Sequence, residues 1–333
     1  VTASPSAGAP SGPAGHAAGL GAYYRWLTRF QVALGWLGHD SGQGTFTVHR
    51  RLRDGSGSQS GDILHTRLHA ALDRAGVVLG AESRTLDAGC GLGGTIFSLH
   101  ARAGGHFDGL TLSHDQAARA RREAARRGCA GACRFHVRDF DGPLDDIVPT
   151  PVDLVVAIES LAHAPDPAAT LARLAGRLGP DGAVAIVDDV PDQALPDDDT
   201  DLAGFRRGWH VPAVLRRTAF DAALASAGLV AVVDDDLTPL VPARPRAARA
   251  GLFALARLAG PMMAPTRAAV LHDALMGGLY LERLYARGVI RYRLVVARRR
   301  AMVQGSPAAG GPAQGAQTAD VSTAARQRAS VTP

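Results

Sequence analysis

"LDAGCGLGGT", Leu86–Thr95, sets an acid and a run of closely spaced glycines between an apolar segment and the start of a helical pattern. Glycine lets the chain turn sharply and lets a ligand approach backbone N–H groups, which matters where a strand hands over to a helix. The spacing is Gly89-x-Gly91-x-Gly93, tighter than the GxGxxG of dinucleotide enzymes. Asp87 stands inside the motif, where a carboxylate suits an ammonium and opposes a pyrophosphate. A plain structural turn is the bland alternative for such a loop.

Outward from this loop the pattern alternates strand, loop, helix, strand, which predicts a parallel sheet with helices on both faces. The expected strands are 85–87, 106–112, 133–137, 152–158, 183–188, 229–237 and 292–299, seven in all and mostly parallel. "VDLVVAIESLAH" (Val152–His163) reads as a strand buried on both faces that ends at Glu159. The carboxylate there either faces a ligand or turns into solvent.

The 333 residues are 46% apolar, ample for a core. Lys+Arg of 36 against Asp+Glu of 31 gives a net charge of +5, yet every basic residue is arginine and none clusters beyond "ARARREAARRG" (Ala118–Gly128), read as a solvated helix. No nucleic-acid partner is expected, and neither an "NPPY" motif nor a Pro-Cys nucleophile occurs. Cys90, Cys129 and Cys133 form no repeated CxxC pair, so neither a disulfide framework nor a metal site is expected. No integral membrane segment and no leader are read, which predicts a cytoplasmic protein and leaves a homo-oligomer open.

Residues 1–20 and 304–333 are rich in Gly, Pro, Ala and Ser and are expected to be disordered tails. Residues 21–80 read as an N-terminal helical cap. Within it, Tyr23, Tyr24, Trp26, Phe30 and Trp36 line an aromatic helix, a Gly/Ser-rich linker occupies "DGSGSQSG" (Asp54–Gly61), and Asp62 caps a second helix. Residues 81–303 read as the core, with an apolar helical insert at about 238–288 before the last strand.

"LDAGCGLGG", "VRDFDGPL" (Val137–Leu144) and "LARLAGRLGPDGAVAIVDD" (Leu171–Asp189) together resemble the class I S-adenosylmethionine-dependent methyltransferases, over most of the core. That resemblance implies a Rossmann-like fold with S-adenosyl-L-methionine as cofactor, held by Asp87, Gly89, Cys90, Gly91 and Gly93 around its methionine portion. Asp139 would bind the adenine amino group, with Phe140 alongside. The usual ribose-binding acid is replaced by Thr111 in "GLTLSHDQ", wording similar to cyclopropane fatty-acid synthases and to tocopherol and sterol C-methyltransferases, so Thr111, Leu112 and Gln116 would wrap the ribose. Asp115 is then a cap or first-turn acid of the next helix.

"YYRWLTRFQVALGWLG" (Tyr23–Gly38) resembles the aromatic segment of sterol C-methyltransferases, whereas "HDSGQGTFTVHR" (His39–Arg50) departs from that pattern. Core packing is the bland reading of these aromatics. The resemblance implies a lipophilic small-molecule acceptor contacted by Tyr23, Tyr24, Trp26, Phe30, Trp36, Trp209 and His210, and C-methylation of an isoprenoid-like alkene in secondary metabolism. Glu159 would then stabilise or deprotonate a carbocation, with His163 one turn beyond. The alternative is O- or N-methylation of a natural product, with His163 or His210 as base.

Overall fold

The computed structural model describes residues 19–21, 47, 49–148, 151–192, 195–263 and 268–300. A two-stranded hairpin, β1 (Leu52–Arg53) and β2 (Gln59–Ser60), precedes the core. It replaces the expected linker: the Asp54 carboxylate accepts hydrogen bonds from the backbone N–H groups of Ser56 and Ser58, both at 2.9 Å, and so closes the turn. Helix α1 (Asp62–Arg74) is capped by Gly61, so Asp62 is its first residue and not its cap. A helical turn at 19–21 buries Leu20 to 5% exposure; residues 1–18 and 304–333 of the expected tails lie outside the described residues.

The core alternates as the pattern predicts: β3 (Arg84–Ala88), α2 (Gly94–Ala103), β4 (His106–Thr111), α3 (His114–Arg126), β5 (Cys133–Val137), β6 (Val152–Ile158), α4 (Pro167–Gly176), β7 (Leu178–Pro191). Next come α5 (Thr200–Gly208), α6 (Arg217–Ser226), β8 (Leu229–Asp236), α7 (Arg246–Met263), α8 (Ala269–Arg287) and β9 (Ile290–Arg299). The seven strands lie in the order β5-β4-β3-β6-β7-β9-β8. All neighbours are parallel up to β7, and β9 runs antiparallel between β7 and β8.

Period two sorts the apolar strand residues between the two faces. Leu154, Val156 and Ile158 of β6, with Ala183, Ala185 and Val187 of β7, pack on α1, α2 and α3. Val155, Val184 and Ile186 meet Leu171 and Leu174 of α4 and Phe220 and Leu224 of α6. β7 outruns its expected span of 183–188 at both ends, because Leu178 pairs with Val152 of β6 and β9 pairs with β7 through Pro191.

The 238–288 stretch contains α7 and α8 behind a short 3-10 turn, Thr238–Leu240. Helix α8 crosses α5 closely, since a Cβ on Gly208 would lie 2.6 Å from the Gly277 Cα. Helix α7 buries only Ala256 and exposes Leu255, Leu258 and Met262. Among the described residues, no helix is long and apolar enough to cross a membrane.

Candidate active site

Strand β3 has β4 on one side and β6 on the other, while the chain passes from β3 to β4 first. Such a reversal opens a crevice at the carboxyl ends of the strands. A cavity of about 790 Å3, counted to its open mouth, lies there. Its walls come from the β3–α2 loop (Asp87, Gly89, Cys90, Gly91), the end of β4 and start of α3 (Thr111, Leu112, Gln116), Phe140, and the end of β6 (Ile158, Glu159, Ser160, His163).

Each wall has a local cause. Gly89, Gly91 and Gly93 all take positive φ, 103°, 54° and 88°, a region costly for side-chain-bearing residues. A Cβ at Gly89 would also strike the Ser160 Cβ at 2.4 Å. Ser160 Oγ donates to the Ala88 carbonyl at 2.5 Å, joining the two loops. Ser113 caps α3, its Oγ accepting from the Gln116 N–H at 3.3 Å, and Thr111 Oγ1 donates to Gln116 Oε1 at 2.6 Å. Asp115 lies in the first turn of α3.

Asp87 is 3% exposed, and among the described residues nothing donates a hydrogen bond to its carboxyl or pairs in charge with it. Burial pushes its carboxyl up to about 7. A buried acid left alone against a cavity is costly unless something cationic arrives.

Glu159 stands in the left-handed region at φ 50°, held by its N–H donating to the Val187 carbonyl at 2.7 Å. Its carboxylate accepts from Arg50 Nε at 2.7 Å, from the Arg50 backbone N–H at 3.3 Å and from Tyr292 Oη at 2.8 Å. Burial alone would raise this carboxyl, but the Arg50 charge, His49 and the Tyr292 hydroxyl hold it below its ordinary value. Arg50 also donates from Nη2 to Asp189 Oδ2 at 2.7 Å and from Nη1 to the Tyr285 hydroxyl, and its guanidinium lies over the Tyr292 ring at 4.1 Å. Tyr285 in turn donates to Asp189. Asp188, accepting from the Ala162 N–H at 3.0 Å, is pushed up to about 7 by burial and by the neighbouring Asp189 charge.

Sequence reasoning missed Arg50, Asp189, Tyr285 and Tyr292. The trailing "VHR" of "HDSGQGTFTVHR" and the "DD" ending β7 were their only local marks. It also missed His49, on the cavity wall, whose Nδ1 donates to the Arg50 carbonyl at 3.1 Å and whose Nε2 lies 3.3 Å from His65 Nε2.

Four expected site residues are placed elsewhere. Gly93 does not line the cavity; a Cβ there would meet the Phe135 ring at 2.6 Å, so packing demands this glycine. Asp139 is also off the wall, its Oδ1 accepting from the Asp141 N–H at 2.9 Å. Trp209 donates from Nε1 to the Ala274 carbonyl at 2.9 Å, against α8 and 5.6 Å from the Arg50 guanidinium. His210 lines a separate surface hollow with Arg206 and Arg207. Tyr23, Tyr24, Trp26, Phe30 and Trp36 lie outside the described residues.

Residues 86–184, which span this loop and β4 through β7, match the family model described as a methyltransferase domain. The chain carries a class I S-adenosylmethionine-dependent methyltransferase domain. This methyltransferase domain is 37% identical over 105 residues to the chloroplastic tocopherol O-methyltransferase of Arabidopsis thaliana, covering 31% of this chain and 29% of that protein. Over 55 residues it is 44% identical to the geranyl diphosphate 2-C-methyltransferase of Saccharopolyspora erythraea, 16% of this chain and 19% of that one. The matches thus span well under two thirds of these relatives' own length. In fold, the [4+2]-cyclase SpnF superposes with a TM-score of 0.63 at 20% identity, over 84% of this chain and 94% of its own. The seven-stranded sheet with flanking helices is the Rossmann-like methyltransferase fold. The residues of this methyltransferase domain suit the family's cofactor, because the unpartnered Asp87 can take an ammonium where the left-handed loop keeps the wall free of side chains.

Proposed function

We propose that this chain methylates a lipophilic small molecule with S-adenosylmethionine, at an alkene carbon of an isoprenoid-like acceptor. The observation that carries the cofactor reading is the buried, unpartnered Asp87 beside the Gly89–Gly91 loop. When bound, the cofactor supplies an electrophilic methyl on a sulfonium. Asp87 would take its ammonium, and Thr111 and Gln116, already tied to each other, would hold its ribose. Asp139 remains a proposed adenine ligand reached by giving up its own loop hydrogen bond.

The alkene reading rests on charge. Arg50 touches two carboxylates, Glu159 and Asp189; burial raises Asp189, whereas Glu159, the one on the cavity wall, is held below its ordinary range and presents negative charge there. That favours a cation in the adjoining space. An alkene π pair that attacks the methyl leaves a carbocation, which Glu159 would stabilise and relieve of a proton. The O- or N-methylation reading is favoured by His163, a buried cavity residue whose Nδ1 donates to the His210 carbonyl at 3.4 Å.

Incubation with isotope-labelled cofactor and a set of lipophilic acceptors, read by mass spectrometry, tests both. A labelled carbon–methyl product is expected; a product that gains no methyl mass sinks methyl transfer. Glu159→Gln is expected to lower turnover by roughly 10²-fold or more, with His163→Ala costing less. The reverse order would favour a hydroxyl or amine acceptor.

A further inference from the structure

At the far end of β5 from the cavity, three residues meet that no step above uses. His100 lies in the last turn of α2, Cys129 in the turn after α3, and Cys133 opens β5. One ring nitrogen and the two Sγ atoms all lie within 4.8 Å of one another. The thiols are free and the two cysteines are 7% and 2% exposed, while His100 is half-buried.

The backbone enforces this meeting. Gly128, at φ 72°, ends α3, and the Cys129 N–H donates back to the Ala124 carbonyl at 2.9 Å. The Cys133 N–H then donates to the Cys129 carbonyl at 2.8 Å, folding the CxxxC spacing into one turn. His100 is set edge-on against Phe107 at 6.0 Å, and Phe107 pairs with Cys133 across β4 and β5. Among the described residues, no side chain hydrogen-bonds to the His100 ring. Burial, with the Cys129 thiol beside it, pushes the Cys133 thiol up to about 12.

We propose that His100, Cys129 and Cys133 form a zinc site that bolts the end of α2 to the α3–β5 turn, with water in the fourth position on the His100 side. Zinc–sulfur bonds of about 2.3 Å and zinc–nitrogen bonds of about 2.0–2.1 Å give tetrahedral edges of roughly 3.5–3.8 Å, so the three groups need only a small contraction. Two thiolates with imidazole select zinc over harder ions. Two S–H bonds release their protons to solvent on binding, and a divalent ion with two thiolates is neutral, which a largely buried site tolerates. The strand Cys133–Val137 separates this site from the cavity, so its role is structural.

The full chain, purified with zinc in the growth medium and analysed by inductively coupled plasma mass spectrometry, is expected to hold one zinc per chain. Removing the metal should lower the melting temperature, and zinc should restore it. Cobalt in its place should give thiolate-to-metal charge-transfer absorption. His100→Ala, at a half-exposed helix end, should keep the circular dichroism and weaken zinc binding by roughly tenfold or more. The C129S/C133S double variant should lose it, whereas Cys90→Ala should keep the stoichiometry. A chain that takes up no zinc, or a double variant that binds it as well as the parent, overturns the proposal. So does a Cys129–Cys133 disulfide whose reduction restores no metal uptake.

Discussion

Asp87, buried, and Glu159, half-buried, are two carboxyls on one cavity, and their surroundings push them opposite ways: Asp87 up to about 7 by burial alone, Glu159 below its ordinary range through Arg50 despite desolvation. The raised Asp87 binds its proton more tightly in the folded chain. Its contribution to stability is therefore full at pH below its ordinary 3.8 and is lost as pH rises through about 7. A cationic ligand reverses that loss, because it binds the ionised form. Cofactor affinity measured by calorimetry is expected to fall up to about tenfold between about pH 8 and about pH 6. Asp87→Asn should bind weakly at both, without that slope. Equal affinity in wild type and Asp87→Asn would remove this residue from the cofactor site.

At the scale of elements, the crossing of α5 and α8 turns on which glycine faces the partner helix. A Cβ at Gly277 would meet the Trp209 ring at 2.4 Å, whereas at Gly278, one position on, it would find only ordinary contact at 3.8 Å. The same substitution should therefore have opposite signs. Gly277→Ala is expected to destabilise by about 1–3 kcal/mol through overpacking, and Gly278→Ala to stabilise by up to about 1 kcal/mol through helix propensity. Urea midpoints of the two variants check this, and a crossing that is loose in solution would make them agree. The small residues that let α8 lie this close also bring Tyr285 to Asp189 and Arg50.

At the scale of the whole molecule, Arg50 joins parts of the chain far apart in sequence: the segment before the hairpin, the ends of β6 and β7, α8 and β9. Arg50→Met would leave the half-buried Glu159 and the buried Asp189 without their cation, at a cost of about 3–5 kcal/mol near neutral pH. Both carboxyls can then take protons, so the deficit should shrink as pH falls. In the parent, the lowered Glu159 contributes stability above its ordinary range that is lost as pH falls through its folded value. Denaturant titrations of both proteins at two pH values give the difference; a deficit independent of pH would mean that lost packing, not charge, dominates.

The sheet was legible in the chain itself because a strand's burial is written in its own residues. Cys133–Val137 and Val152–Ile158 form strands over the residues expected, and the run of seven strands follows from local alternation. Asp87 stood out by its place in the glycine motif and Glu159 as an acid ending an apolar run, and both line the cavity. The Asp54–Gly61 stretch was misjudged because a Gly/Ser-rich segment reads alike as linker or hairpin until the Asp54 side chain closes its turn. Only the tertiary structure decided what the acids touch. Arg50 reaches Glu159 across 109 positions and Asp189 across 139, and His100 meets two cysteines that sit on another turn. Charge pairing and metal-ligand geometry depend on distance in space, which periodicity along the chain does not encode.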